Sequence, residues 1–203
     1  MTTNLRSVLV IVAGPNGSGK TTLTEHVLQH EWLTGCVYIN PDNIARDVFG
    51  DWNNRDAVLQ AANFAQAERE RCLRESQSMA FETVFSAPDK LDFVWRAKKA
   101  GFFVRLVFVG TDSPMINVAR VANRVMAGGH GVPSEKIIER YEKSIANCVG
   151  ASLIVDRAYI YDNSVEEQEP RLLFRSVNGR IQKIYRQPNA WAVSLLKALS
   201  ASS

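Results

Sequence analysis

Gly14-Pro15-Asn16-Gly17-Ser18-Gly19-Lys20-Thr21 matches the pattern G-x-x-x-x-G-K-[ST]. The apolar run Val8 to Ala13 precedes it, and Thr22-Leu23-Thr24-Glu25-His26-Val27-Leu28 follows with a helical pattern. Strand, glycine loop and helix in that order are the setting in which this motif forms a P-loop. The glycines let the backbone curl so that successive amides point inward at an anion. The helix behind the loop adds its positive N-terminal end. Residues 14–22, Thr22 included, are thus candidates for holding a nucleotide. Lys20 supplies a cation for the β- and γ-phosphates of ATP, and the Thr21 hydroxyl is a Mg2+ ligand. A plain connecting turn explains neither residue.

Working outward, residues 5–13 read as a central parallel strand covered on both faces. Cys36-Val37-Tyr38-Ile39 is a second short strand, which puts Asn40 and Asp42 at a carboxyl end, where open α/β sheets bind ligands. Asp42 also fits as the cap of a helix starting at Asn43. Met79 to Phe85 is a third strand carrying Glu82 and Thr83. An unpaired buried carboxylate is costly, so Glu82 either faces a polar cleft or pairs with an arginine. Phe102 to Val109 is a fourth strand. Asp112 beyond it fits either a Mg2+-holding acid or, with Ser113 and Pro114, a helix cap with Pro at N1.

Helical patterns run over Lys20–His30, Asp56–Gln77, Asp89–Ala100, Pro114–Ala127, Ser134 to about Gly150 and Asn189–Leu199. The run Glu68-Arg69-Glu70-Arg71 reads as a solvated face with i,i+3 and i,i+4 pairs. Gly128-Gly129-His130-Gly131-Val132-Pro133 breaks two helices, so about 114–150 has the anatomy of a lid. Arg120 and Arg124 share one face of it, and Arg140 lies beyond the break. Guanidinium groups suit the spreading charge of a transferring phosphoryl group. His130 reads as a loop contact to substrate. Ile160-Tyr161 is a short fifth strand leading to Asn163, at the edge of the adenine pocket. Arg171–Val177 and Arg180–Tyr185 flank Asn178-Gly179, a hairpin signal.

The expected fold is therefore a three-layer α/β/α P-loop NTPase of the nucleoside-kinase kind. It has a mainly parallel sheet, a helical lid and a C-terminal hairpin and helix at about 171–200, all in one domain over 1–203. A net charge of +3 and the absence of a basic–aromatic stripe argue against a nucleic-acid partner. No apolar run is long enough to span a membrane. Cys36, Cys72 and Cys148, odd in number and far apart, read as reduced thiols of a cytoplasmic protein. No N-K-x-D motif marks a GTPase, and no L-S-G-G-Q-like segment marks an ABC-type ATPase.

Gly-Pro-Asn-Gly-Ser-Gly-Lys-Thr, then Asn-Pro-Asp, Phe-Glu-Thr-Val-Phe-Ser, Arg-Val-x-x-Arg-Val-x-x-Gly-Gly-His-x-Val-Pro and Arg-Tyr-x-x-Ser together resemble the zeta-toxin family, in its compact branch. The resemblance covers roughly residues 8–164. It implies an ATP-dependent kinase acting on a hydroxyl of a UDP-N-acetyl-sugar or another nucleotide-sugar, as a toxin with an antitoxin partner. Under it, Lys20 and Thr21 hold ATP and Mg2+, Asp42 is the catalytic base, Glu82 serves the substrate site, and Arg124 and Arg140 clamp phosphates. The lid sequence departs from that of the larger toxins, and the chain lacks their longer substrate-binding insertions. The alternative reading is a nucleotide-binding ATPase or switch module acting through a protein partner.

Overall fold

The computed structural model describes residues 6–28, 33–49, 55–129 and 131–201. A seven-stranded sheet runs in the order β2-β3-β1-β4-β5-β6-β7. Its strands are β1 (Val8–Ala13), β2 (Val37–Ile39), β3 (Met79–Thr83), β4 (Phe103–Gly110), β5 (Arg157–Asp162), β6 (Arg171–Val177) and β7 (Arg180–Ile184). The first five are parallel, and β6 and β7 are antiparallel. The helices are α1 (Lys20–Leu28), α2 (Pro41–Asp47), α3 (Arg55–Arg74), α4 (Pro88–Lys99), α5 (Pro114–Met126), α6 (Ser134–Ile154) and α7 (Ala190–Ala201). This is the P-loop kinase-like α/β fold, with β1 between β3 and β4, so the glycine loop emerges mid-sheet.

β1 is apolar on both sides because both its faces are covered: Leu9 and Ile11 join one core cluster, Val10 and Val12 the other. The larger cluster packs α4, α6 and α7 onto the sheet through Phe93, Val94, Cys148, Ala151, Trp191 and Leu195. The Asn178-Gly179 turn holds both residues at positive φ, 49° and 75°, as a two-residue primed hairpin requires.

Several boundaries differ from the sequence reading. β3 stops at Thr83 because the chain turns sharply at Phe85, φ 62°. β5 extends over 157–162, since Ala158 and Ile160 are both fully buried. α6 runs on to Ile154 and opens at Ser134 without a side-chain cap. α2 begins at Pro41 with Asn40 as its cap, leaving Asp42 free of that duty. Ser113 caps α5 by accepting from the Met115 amide, and Asp112 accepts instead from Asn189 Nδ2 at 2.9 Å.

Strand pairing also assembles what the linear chain does not show. Register places Arg105 beside Arg157, and Arg175 beside both Tyr159 and Lys183. Arg6, Arg105 and Arg157 surround the Phe103 ring at 5.6, 4.7 and 5.9 Å, and Lys183 lies 4.8 Å over Tyr185. Among the described residues no helix is long and apolar enough to cross a membrane.

Candidate functional site

The loop between β1 and α1 is braced by three distant stretches. From β3, the Thr83 carbonyl accepts from the Gly14 amide at 3.3 Å. From α5, Asn117 Nδ2 donates to the Asn16 carbonyl at 2.6 Å, with Asn117 itself fully buried and bonded to the Thr111 hydroxyl. From the end of β5, Asn163 Nδ2 donates to the Ser18 carbonyl at 2.9 Å. The bonds from Asn117 and Asn163 occupy loop carbonyls, and with the Gly14 and Ser18 amides donating to Thr83 and Pro15, an anion would meet the other amides of the loop.

The Lys20 ammonium donates to the carbonyls of Gly14 and Pro15 at 2.8 and 2.9 Å. Burial lowers its pKa to about 8; the negative charges of Glu82 and Asp42 work upward, and Arg124 adds to the lowering. Among the described residues the buried Ser18 hydroxyl has no hydrogen-bond partner. A cavity of about 390 Å3 opens over the loop, walled by Asn16, Gly17, Gly19, Lys20 and Thr21 and roofed by Arg120, Arg124 and Arg140. A lysine parked on carbonyls and an arginine roof fit a nucleotide's phosphates. Among the described residues no group of three or more His, Cys, Asp or Glu is placed to hold a metal. Mg2+ that keeps its waters and binds through Thr21 and phosphate oxygens needs no such cage.

The second half of the site lies at the carboxyl ends of β2 and β3. The Tyr38 hydroxyl donates to Glu82 Oε1 at 2.7 Å, and Asn40 Nδ2 reaches Tyr38 at 3.1 Å and Glu82 at 3.3 Å. Burial first, and then the bond to Glu82, push the Tyr38 phenol well above its ordinary pKa. Asn40 Oδ1 meanwhile accepts from the amides of Asp42 and Asn43, so one side chain both starts α2 and steadies Glu82. Of the two options for Glu82, the structure shows the cleft: no arginine pairs with it among the described residues.

A cavity of about 500 Å3 opens on this side, between α3 and the ends of β2 and β3. It meets the nucleotide-side cavity at five residues: Lys20, Asp42, Glu82, Val84 and Arg140 line both. Asn40 and Thr83 line only the second cavity. The Thr83 hydroxyl also accepts from the Phe85 amide at 3.0 Å, fixing the turn there.

Arg120 lines the nucleotide side and donates to the Asn163 carbonyl at 2.8 Å. Asn163 sits behind the loop as a brace and borders neither cavity, and exposed Thr22 borders neither. His130 lies outside the described residues. Tyr38, Asn63, Gln66, Arg69, Lys90 and Asn117 belong to the site or its supports, and the sequence reading assigned none of them. The helical spacing of Asn63, Gln66 and Arg69 along α3 is the signal that was available.

The family model described as "AAA domain" matches residues 9–148. An uncharacterized protein of Haemophilus influenzae is 27% identical over 140 residues, 68% of this chain and 94% of that protein. The solved structure titled for the PezAT chromosomal toxin-antitoxin system of Streptococcus pneumoniae aligns with a TM-score of 0.58 at 14% identity, over 98% of this chain and 80% of that one. AvrRxo1-ORF1:-ORF2 with ATP aligns with a TM-score of 0.61 at 16% identity, over 97% of this chain and 65% of that one. These solved structures share the fold.

Proposed function

Because this chain belongs to the AAA-domain family of P-loop proteins, we propose that it transfers the γ-phosphate of ATP to a hydroxyl of a small molecule. One observation carries the reading: a phosphate-side cavity and a second, acceptor-sized cavity meet at Lys20, Asp42, Glu82 and Arg140. A phosphoryl-transfer site needs that junction, because donor and acceptor oxygens must lie in line across one phosphorus.

In this reading the loop amides and Lys20 grip the β- and γ-phosphates, and Thr21 would hold a Mg2+ that would neutralise their charge. Asp42 accepts the acceptor's hydroxyl proton as its oxygen bonds to the γ-phosphorus. The bond from that phosphorus to the β–γ bridging oxygen breaks, and ADP leaves. Glu82, held by Tyr38 and Asn40, orients the acceptor. Arg124 and Arg140 stabilise the spreading equatorial charge, Arg140 from α6, which packs its buried side into the core and so is not a hinged lid. The cavity size suits a nucleotide-sugar such as a UDP-N-acetyl-sugar, and the likeness to PezAT supports a toxin with an antitoxin partner. Three cysteines outside any disulfide among the described residues match a cytoplasmic setting.

The test is Asp42→Asn assayed with ATP and a metabolite extract, read by mass spectrometry. The wild type is expected to yield a phosphorylated metabolite, and the variant to bind ATP while losing transfer by at least about a hundredfold. A variant that transfers as well as wild type removes Asp42 as the base. Steady ATP turnover with no phosphorylated metabolite favours the partner-driven ATPase instead.

A further inference from the structure

Arg69 is 8% exposed, although it sits in a run of four charged residues on α3. Its neighbours behave as a surface: Arg71 pairs with Glu68 at 2.6 Å and with Glu75 at 2.5 Å. Arg69 turns the other way, its guanidinium 5.2 Å over the ring of Phe81 and bordering the acceptor cavity. Among the described residues its close contact is that ring, with Asp89 and Glu70 attracting it from farther off. The carboxylates close enough to attract it, Asp89 and Glu70, are committed elsewhere: Glu70 binds Arg96 through two bonds of 2.7 and 2.8 Å, and Asp89 pairs with Lys90. A largely buried cation whose contacts among the described residues are a ring face and two carboxylates paired elsewhere gains from an anion in the cleft it borders.

The position of Arg69 says what that something is. The acceptor cavity has two ends. Lys20, Asp42, Glu82 and Arg140 mark the end it shares with the nucleotide side. Gln66, Arg69 and Lys90 mark the other end, where a smaller cavity of about 250 Å3 adjoins. The wall between them is one polar face of α3, Asn63 and Gln66 with Arg69. We propose that the acceptor carries an anionic group, phosphate or carboxylate, that docks on Arg69 and Lys90 while its hydroxyl lies at Asp42. A planar fork stacked on an aromatic ring is pre-set for two-point recognition of such a group. The inference rests on reading this cleft as the acceptor site, and it makes Arg69 the residue that selects anionic hydroxyl compounds over neutral ones.

The experiment fills the nucleotide side with Mg·AMPPNP and titrates the full chain with inorganic sulfate and, separately, with formate, followed by calorimetry. A phosphate-reading site gives a sulfate step, and a carboxylate-reading site a formate step. Either is expected in wild type, at least tenfold weaker in Arg69→Met, and intermediate in Arg69→Lys, which keeps the charge and loses the fork. Asp42→Asn, at the far end, is expected to retain the step. If Arg69→Met does not fold, Lys90→Met carries the same comparison. Neither anion binding to loaded wild type, equal binding by Arg69→Met, or loss of the step in Asp42→Asn overturns the proposal. Failure of Mg·AMPPNP to bind sinks the kinase reading separately. The sulfate count then decides this one: two sites in wild type and one in Arg69→Met support it, and equal counts overturn it.

Discussion

The Tyr38 hydroxyl donates to Glu82 Oε1 at 2.7 Å across two neighbouring strands, with Asn40 bridging both groups. A carboxylate in a cleft is held in place by donors, and here one donor is a phenol whose pKa burial and the bond to Glu82 push further upward. Tyr38→Phe keeps the ring and removes that bond. Losing a hydrogen bond to a charged group is worth about 1.5 kcal/mol, or roughly a tenfold drop in kcat/KM. The loss is expected in the KM for the acceptor, with the KM for ATP unchanged. Steady-state kinetics in both substrates reads the split, and unchanged acceptor kinetics would show that Glu82 needs no such anchor.

Gly19 and Asn163 are coupled by space as well as by bonding. Gly19 has φ +91°, and a Cβ there would lie 2.2 Å from Asn163 Nδ2, the atom that holds the Ser18 carbonyl. Gly19→Ala thus meets backbone strain of about 1–3 kcal/mol and a collision with the loop's brace. Nucleotide affinity by calorimetry is expected to fall at least tenfold. Removing the obstruction in Gly19→Ala/Asn163→Ala is expected to recover part of that loss, because only the strain and the missing brace then remain. A double variant no better than the sum of the two singles would show that the contact is unimportant.

The loop, the parallel core strands and the closing hairpin were legible because each is written in consecutive residues: glycines before Lys20, an apolar run before the glycines, Asn178-Gly179 between two strands. The Tyr38–Glu82 bond was not, because it depends on β2 lying beside β3, a register that no local pattern states. Arg69 was misread for a related reason. A run of four charges looks like a solvated face, and only the packing of α3 over Phe81 separates the residue that turns inward from the three that do not. Asn163 was found, but in another role. Its place after an apolar strand marked it as near the nucleotide, while its bond to Ser18, 145 positions away, belongs to tertiary structure alone. The cationic face of β4–β7 is of the same kind, since Arg105, Arg157, Arg175 and Lys183 adjoin only through strand pairing.

Asp162 is fully buried and accepts from Arg171 Nη2 at 2.7 Å, from Trp191 Nε1 at 3.2 Å and from the Ser164 hydroxyl. It thereby ties β6 and α7 to the strand end that braces the loop. Burial pushes its carboxyl pKa upward, and the bonds from Ser164, Arg171 and Trp191 more than offset that, holding it below the ordinary 3.8. Asp162→Ala is expected to lose about 3 kcal/mol in urea unfolding, since it strands a buried indole N–H and a half-buried guanidinium. The sign with pH follows. The unfolded carboxyl takes up its proton first, so the contribution is complete above about pH 4 and fades as pH falls through the folded value. Asp162→Asn should flatten that acid limb, and a limb as steep as wild type would assign it to other carboxylates.

Lys20 has the opposite sign and a different window. In the free protein its pKa is lowered to about 8, chiefly by burial. A bound triphosphate stabilises the ammonium and raises that value, so above about pH 8 the complex carries more protons than the free protein and binding takes up a proton. Affinity for Mg·ATP is therefore expected to be level from pH 6.5 to about 7.5. It should then weaken as pH rises, approaching tenfold per unit until the pKa of the complex is reached. Calorimetry at pH 9 in two buffers of different ionisation enthalpy should show close to one proton absorbed, and near zero at pH 7. Lys20→Met is expected to bind weakly at every pH and to lose the slope. A wild-type profile that stays flat to pH 9.5 would mean the ammonium does not meet the phosphates, and the loop would then have to hold its anion with main-chain amides alone.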